Sequence, residues 1–109
     1  MPARRTPARP DTPCRELWNL SETTAAWLAD LGVHTHAQLA AADLFALWAR
    51  LRALHPQVTK LMFLAMAGAV QDVHWRLVPS DVVEAFERWR AAEAAPSPGR
   101  RAAAKKRTR

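Results

Sequence analysis

Apolar residues recur at three- and four-residue steps along much of this chain, the spacing that places them on one face of a helix. The first such stretch begins at Ser21, whose hydroxyl can accept a hydrogen bond from a free amide of the first helical turn. It ends before Gly32, where many helices close with a left-handed residue that is usually glycine. We therefore predict a helix between these positions, with an apolar face of Ala25, Trp27, Leu28 and Leu31.

Two further helices follow this glycine corner. Thr35 is the expected cap of the second helix, and Gln38 three positions later predicts a reciprocal capping box. Asp43 is the expected cap of the third helix, which we predict to end at His55 because the next residue is a proline. The apolar face of this third helix would consist of Leu44, Leu47, Trp48, Leu51 and Leu54.

The stretch from Val58 to Asp72 is apolar nearly all round, which is typical of a helix enclosed by others. Gly68 lies inside it, although a glycine within a helix lowers stability by about 1 kcal/mol relative to alanine. We interpret Gly68 as the point where a neighbouring helix comes close. Ser80 is the expected cap of a last helix, which reaches about Ala94 and has its inner face at Val82, Val83, Phe86 and Trp89.

These patterns predict an all-α protein, a single small bundle of about five helices over residues 16–95. Residues 1–15 are predicted to be a disordered basic arm and residues 96–109 a disordered basic tail, because their prolines and cations offer little surface to bury. A short helical turn near Cys14 would bring two apolar residues into the core, Leu17 and Trp18.

The net charge of +6 is unevenly distributed along the chain. Residues 1–15 hold four basic residues and one acidic residue, whereas residues 96–109 hold six basic residues and no acidic one. The stretch between them holds six basic and nine acidic residues, a net −3. Clustered Lys and Arg bind phosphate backbones without reading sequence. The candidate nucleic-acid-binding residues are Arg4, Arg5, Arg9, Arg100, Arg101, Lys105, Lys106, Arg107 and Arg109.

Residues for catalysis or metal binding are sparse. We expect neither an enzyme nor a cofactor or small-molecule substrate, because no nucleophile–base signature occurs and three scattered glycines cannot form a phosphate loop. No metal site is expected either, since the possible ligands lack the close pairing of zinc sites. Those possible ligands are Cys14, His34, His36, His55 and His74.

The five tryptophans raise the question of base stacking, as in proteins that bind single strands. Trp27, Trp48 and Trp89 lie on apolar faces, so we expect them in the core. For Trp18 and Trp75 the pattern leaves packing and stacking both open.

Several features favour a soluble, cytoplasmic protein. Cys14 is the sole cysteine, which excludes an intramolecular disulfide and fits a reducing compartment. The first residues lack the apolar segment of a signal peptide. The longest apolar run, from Leu61 to Val70, is too short to span a bilayer.

An ordered set of residues also carries a family resemblance. The set is Leu17, Asn19, Leu20, Trp27, Leu28, Gly32, Val33, Thr35 and Leu39, then Trp48-x-x-Leu51-x-x-Leu54, the apolar helix from Leu61 to Gly68, and His74-Trp75-x-Leu77-x-Pro79. Over roughly residues 17 to 90 the chain resembles the C-terminal domain of TfoX/Sxy proteins. This resemblance implies a small domain similar to helix-hairpin-helix modules and a link to the regulation of natural DNA uptake. Full-length TfoX proteins carry a preceding domain, for which 109 residues leave no room, so we expect a stand-alone module.

One stretch departs from the family pattern. Where the family usually has a Leu-Gly-Pro-Lys-like hairpin, this chain has Leu20-Ser21-Glu22-Thr23. In helix-hairpin-helix modules that bind DNA, glycine lets backbone amides approach a phosphate at a helix N-terminus. Here the glycine and the lysine are missing, and Glu22 adds a negative charge. We therefore interpret this hairpin as a packing corner.

Two functional hypotheses follow. The first is a TfoX-like regulatory module, tied to competence or transcription, that contacts nucleic acid non-specifically through its basic ends. The alternative is a protein-interaction adaptor whose mildly acidic core docks a transcription-related protein, while the basic ends only raise solubility.

Overall fold

Five α-helices make up most of the structure, a computed structural model that describes residues 7–94. Within this range no strand forms beyond an isolated antiparallel bridge between Pro13 and Thr35, so the predicted all-α class is confirmed. The described residues up to Pro79 and those from Ser80 form two compact units. The helices are α1 (Glu22–Asp30), α2 (His36–Ala41), α3 (Leu44–Leu54), α4 (Lys60–Gln71) and α5 (Ser80–Ala94), with short 3-10 turns at Cys14–Glu16 and Trp75–Leu77.

Long-range hydrogen bonds fix the segment before the first 3-10 turn. The Ala8 amide donates to Oδ2 of Asp72 at 3.0 Å. The Cys14 amide donates to the carbonyl of His34, also at 3.0 Å. Residues 8–15, which we predicted to belong to a disordered arm, thus find hydrogen-bond partners that composition does not reveal.

The core of the first unit surrounds α4. Seven of the twelve residues of α4 are buried, which confirms the prediction from its all-round apolar pattern. The helices α2 and α3 pack against it. Each fully buried leucine or phenylalanine adds about 1.5–3 kcal/mol of stability. No helix within residues 7–94 combines the length and the hydropathy that crossing a bilayer requires. The bulkiest fully buried side chains in this unit are Phe63, Leu28, Leu39, Leu51 and Met66.

Side-chain caps fix the starts of three helices where the sequence predicts them. Ser21 Oγ accepts from a first-turn amide of α1 at 3.2 Å. Thr35 Oγ1 accepts from the Gln38 amide of α2 at 3.3 Å, and Asp43 Oδ1 accepts from two amides of α3. At the end of α1, Gly32 has a φ of +86°, the left-handed conformation that its position predicts.

Trp27 and Leu54, both predicted to face the core, are more exposed than predicted. Trp27 is half-buried, and its ring stacks on the His55 imidazole with centroids 4.2 Å apart and planes inclined by 17°. Leu54 is 58% exposed. Trp27 lies one position before Leu28, and Leu54 lies three positions after Leu51, the most buried residues of α1 and α3. With 3.6 residues per turn, such a step rotates a side chain away from the centre of the face.

At Gly68 the neighbours that come close are the Asn19 side chain and the loop at Val73, and not the neighbouring helix that we predicted. A Cβ atom at this position would lie 2.6 Å from Nδ2 of Asn19 and 2.8 Å from the carbonyl oxygen of Val73. Real Cβ atoms do not approach other atoms this closely, so the backbone at Gly68 has no room for a side chain.

The second unit contains α5, which already includes Ser80 as its first residue instead of taking it as a cap. The positions predicted to form its inner face are less exposed than the charged positions between them. Within the helix, the rings of Phe86 and Trp89 are 5.9 Å apart. The Arg90 guanidinium lies 5.7 Å from the centre of the Phe86 ring. Trp89, predicted in the core, is half-buried.

Candidate functional site

The helices α1 and α2 form a helix-hairpin-helix corner around Gly32. The amide of Gly32 donates to the carbonyl of Ala29, and the amide of Val33 donates to the carbonyl of Leu28, both at 2.9 Å. These bonds satisfy carbonyls that the end of α1 would otherwise leave open. A Cβ at Gly32 would meet nothing within 4 Å, so only the backbone angle favours glycine here.

The amides at the start of α2 are engaged by the N-terminal segment. The His36 amide donates to the carbonyl of Thr12 at 2.9 Å, and the Ala37 amide donates to the carbonyl of Pro10 at 3.0 Å. Amides in this position are the groups that bind a phosphate when a helix-hairpin-helix corner contacts DNA. The carbonyls of Pro10 and Thr12 therefore take the place of an anion, and the corner acts as a packing element.

One more amide of the corner is satisfied internally. Gln38 Oε1 accepts from the His34 amide at 2.6 Å, and not from the amide of Thr35 as the predicted capping box requires. The box is thus displaced by one residue. The side chain of Gln38 is long enough to close the corner loop one position further back.

The hairpin that departs from the family pattern is a capping structure. The Ser21 amide donates to Thr24 Oγ1 at 2.8 Å, and the Thr24 amide donates to Ser21 Oγ at 3.2 Å. Leu20 is buried next to them, while Glu22 is exposed in the first turn of α1. This geometry confirms Ser21 as a helix cap. The carboxylate of Glu22 already complements the positive end of the helix.

Of the nine candidate nucleic-acid-binding cations, Arg9 lies within the described residues. Its side chain is 73% exposed, and its Nε is 3.9 Å from Oδ1 of Asp11. An exposed pair at this distance contributes little to stability, so the guanidinium remains accessible to another anion. The other eight candidates lie in residues 1–6 and 95–109, outside the described range.

Trp48 lies in the core, as predicted. It is buried, and its Nε1 donates to the carbonyl of Thr59 at 2.9 Å. The indole nitrogen thereby finds the hydrogen-bond partner that a buried tryptophan requires. Its bond links α3 to the residue that precedes α4.

Trp18 and Trp75, whose places the pattern left open, lie in one group with His74 and Arg76, which we call the aromatic cluster. The ring centroids of Trp18 and His74 are 6.0 Å apart in an edge-on arrangement. Those of His74 and Trp75 are 5.4 Å apart. The Arg76 guanidinium lies 5.4 Å from the centre of the Trp75 ring. The three rings are half-buried and Arg76 is exposed, so the cluster belongs partly to the packed interior and partly to the surface.

Asn19 anchors this region, a role that sequence reasoning missed. Its Nδ2 donates to the carbonyls of Ala65 at 3.3 Å and Val73 at 3.0 Å, and its Oδ1 accepts from the Trp75 amide at 3.0 Å. Its own backbone is left-handed, with a φ of +71°. Asparagine tolerates this conformation better than most residues, which is the one signal that its identity carries.

The remaining candidate ligands serve structure. His36 Nε2 donates to the carbonyl of Val70 at 2.9 Å, and His74 Nδ1 accepts from the Arg76 amide at 3.1 Å. Cys14 is buried beside a surface cleft of about 530 Å³, and burial raises the pKa of its thiol. Among residues 7–94, no three His, Cys, Asp or Glu side chains group as metal ligands.

The profile of the TfoX C-terminal domain matches residues 11–89. The chain belongs to the TfoX C-terminal domain family. The match confirms the resemblance seen in the sequence, and it spans the α1–α2 corner, Asn19 and the aromatic cluster of this TfoX C-terminal domain.

The fold is shared with a solved structure. An uncharacterised protein from Listeria monocytogenes, crystallised in a triclinic form, superposes with a TM-score of 0.69 at 18% sequence identity. The alignment covers 79% of this chain and 99% of the Listeria chain. At this identity the likeness concerns the fold alone. No curated protein matches the chain.

Proposed function

We propose that this TfoX C-terminal domain is a regulatory module, tied to competence or transcription, that contacts nucleic acid non-specifically through its basic ends. The observation that carries the proposal is the division of charge. Residues 1–15 have a net charge of +3 and residues 96–109 of +6, while residues 16–95 have a net charge of −3. Phosphates are therefore attracted to the ends and weakly repelled by the stretch between them.

The hydrogen bonds at the α1–α2 corner support the assignment of phosphate binding to the basic ends. Because the carbonyls of Pro10 and Thr12 already accept from the first amides of α2, the corner lacks the open donors of a phosphate site at these positions. Attraction must then come from Lys and Arg side chains. Such contacts meet phosphates and not base edges, so binding should be insensitive to duplex sequence.

A salt titration of duplex binding tests the proposal. If each of the six C-terminal cations neutralises one phosphate, log K should fall against log salt concentration with a slope of about −5 from these contacts. The matched control is a full-length variant with all six changed to glutamine, which keeps the length and removes the charge. Fluorescence anisotropy should show that this variant loses most of the slope. Unchanged affinity and slope, or no binding by the parent chain at low salt, would contradict the proposal.

The alternative is the protein-interaction adaptor. It is supported by the net charge of −3 on residues 16–95, which would favour a partner with a basic surface. The same glutamine variant separates the two functions. A partner protein that the parent and the variant both retain after nuclease treatment of the lysate would favour the adaptor, whereas retention that is lost on nuclease treatment would favour nucleic acid.

A further inference from the structure

The aromatic cluster joins two parts of the first unit that are distant in sequence. Trp18 lies before α1, whereas His74, Trp75 and Arg76 follow α4. The ring centroids of Trp18 and His74 are 6.0 Å apart and those of His74 and Trp75 are 5.4 Å apart, and the Arg76 guanidinium extends this row over the Trp75 ring. Leu77, next in the same 3-10 turn, is 68% exposed. The cluster thus combines half-buried aromatic rings with an exposed cation, and an exposed apolar side chain follows in the same turn.

The cluster is held in place before any ligand arrives. Asn19 fixes the backbone at Trp75 through its Oδ1 and fixes the end of α4 through its Nδ2. His74 Nδ1 accepts a hydrogen bond from the Arg76 amide at 3.1 Å, and this bond fixes the imidazole. A surface whose side chains are already ordered loses little conformational entropy when a flat ligand stacks on it.

A described cation of the N-terminal segment lies near the same end of α4. The Ala8 amide donates to the carboxylate of Asp72, and Asp72 precedes the cluster by two residues. Arg9 follows Ala8, and its side chain is 73% exposed. Arg9 and Arg76 are therefore the described cations of this region.

We propose that the aromatic cluster stacks unpaired bases of a single-stranded nucleic acid while Arg9 and Arg76 bind its phosphates. This inference rests on the proposed function and adds the kind of strand that is bound. Proteins that bind single strands without sequence preference combine aromatic faces for bases with cations for the backbone. Bases inside a duplex are already stacked on each other, so the cluster gives an advantage to unpaired strands.

The test compares a labelled oligothymidylate of about 12 nucleotides, a length within the range of single-strand sites, with a duplex of equal length. The variants are made in the full chain. Trp75→Leu keeps an apolar side chain and removes the π surface, while Trp75→Phe keeps an aromatic ring. Trp27→Leu is the matched control, because Trp27 is also half-buried and stacked on a histidine but lies outside the cluster.

We expect Trp75→Leu to weaken oligothymidylate binding about 5- to 150-fold, the loss expected for one stacked base. Trp75→Phe should weaken it less, and Trp27→Leu should leave it unchanged. Duplex affinity should be the same for all four proteins. The parent's tryptophan fluorescence should also be quenched by the oligonucleotide, and Trp75→Phe should remove part of this quenching even if Trp75→Leu proves too unstable to measure.

Other results would overturn the inference. An equal loss in Trp27→Leu and Trp75→Leu would point to general destabilisation, and absence of quenching in the parent would show that no base stacks. If duplex binding keeps its salt dependence while Trp75→Leu binds oligothymidylate like the parent, the inference fails and the proposed function stands. If the parent binds neither nucleic acid, the proposed function fails as well.

Discussion

Gly32 and Gly68 are both required by the structure, but for opposite reasons. At Gly32 the backbone is left-handed, with a φ of +86°, and a Cβ would meet nothing within 4 Å. At Gly68 the backbone is an ordinary part of α4, yet a Cβ would collide with Asn19 and with the carbonyl of Val73. Gly32 is required by its local backbone conformation, whereas Gly68 is required because residues distant in the sequence occupy the space beside it.

The two positions show how far one residue type can be interpreted from its neighbours along the chain. Gly32 follows a periodic apolar stretch, so its role as a helix end is visible locally. Gly68 sits among alanines and resembles a helix-packing site. The contact is instead with the carboxamide that anchors the aromatic cluster, so Gly68 serves the candidate site through Asn19. Substitutions at these two glycines and at their neighbours can separate the two roles.

The largest effect is expected from Asn19→Ala. This change removes three hydrogen bonds to partly buried backbone groups and places alanine at a φ of +71°. Unsatisfied groups of this kind cost about 1–3 kcal/mol each, and together with the backbone penalty we expect a loss of about 3–5 kcal/mol. Urea denaturation measures the free energy of unfolding. Asn19→Gly, which relieves the backbone angle, should lose less; a loss under about 1 kcal/mol for Asn19→Ala would show that the anchor is dispensable.

Gly68→Ala should destabilise by up to about 2 kcal/mol, because overpacking costs about 1–3 kcal/mol and the helical preference for alanine offsets about 1 kcal/mol of it. The collision involves the Asn19 side chain, so the two positions should be energetically coupled. In an Asn19→Gly background the same substitution should cost less, which a double-mutant cycle measures. Strict additivity of the two changes would contradict the contact.

Gly32→Ala should cost about 1 kcal/mol, the lower end of the penalty for an L-residue in the left-handed region. No neighbouring atom obstructs the new methyl group, so the backbone alone sets this cost. Gly32→Asn should cost less than alanine because asparagine tolerates the conformation. The comparison is made by thermal unfolding, and an equal loss for both residues would mean that space, not the backbone angle, decides this corner.

The smallest effect is expected from Ser21→Ala, which removes the cap of α1. Exposed caps contribute about 0.5–1 kcal/mol, so the melting temperature should fall slightly. Duplex affinity should stay unchanged, because the Ser21 hydroxyl bonds within its own capping structure. Ser21→Thr, which keeps a hydroxyl, is the matched control. A marked loss of affinity at unchanged stability would show that this hairpin contacts phosphate after all.

The sequence by itself determined the helices, three of their caps and the family. Ser21, Thr35 and Asp43 bond to amides two or three residues away, and Gly32 closes α1 in the conformation predicted for it. These signals act over one helical turn, so they survive in any packing arrangement. The all-round apolar character of α4 likewise placed it at the centre of the first unit.

Only the tertiary structure decided which distant residues meet. The N-terminal segment is ordered from Ala8 because its carbonyls cap α2; a proline lacks an amide but keeps its carbonyl, so Pro10 can accept where composition suggested disorder. Trp18 reaches His74, and Asn19 takes the space above Gly68, through folding of the whole unit. Hydrogen bonds and ring contacts across 46 to 64 residues leave no periodic trace in a sequence, so the candidate site could be assembled only from the fold.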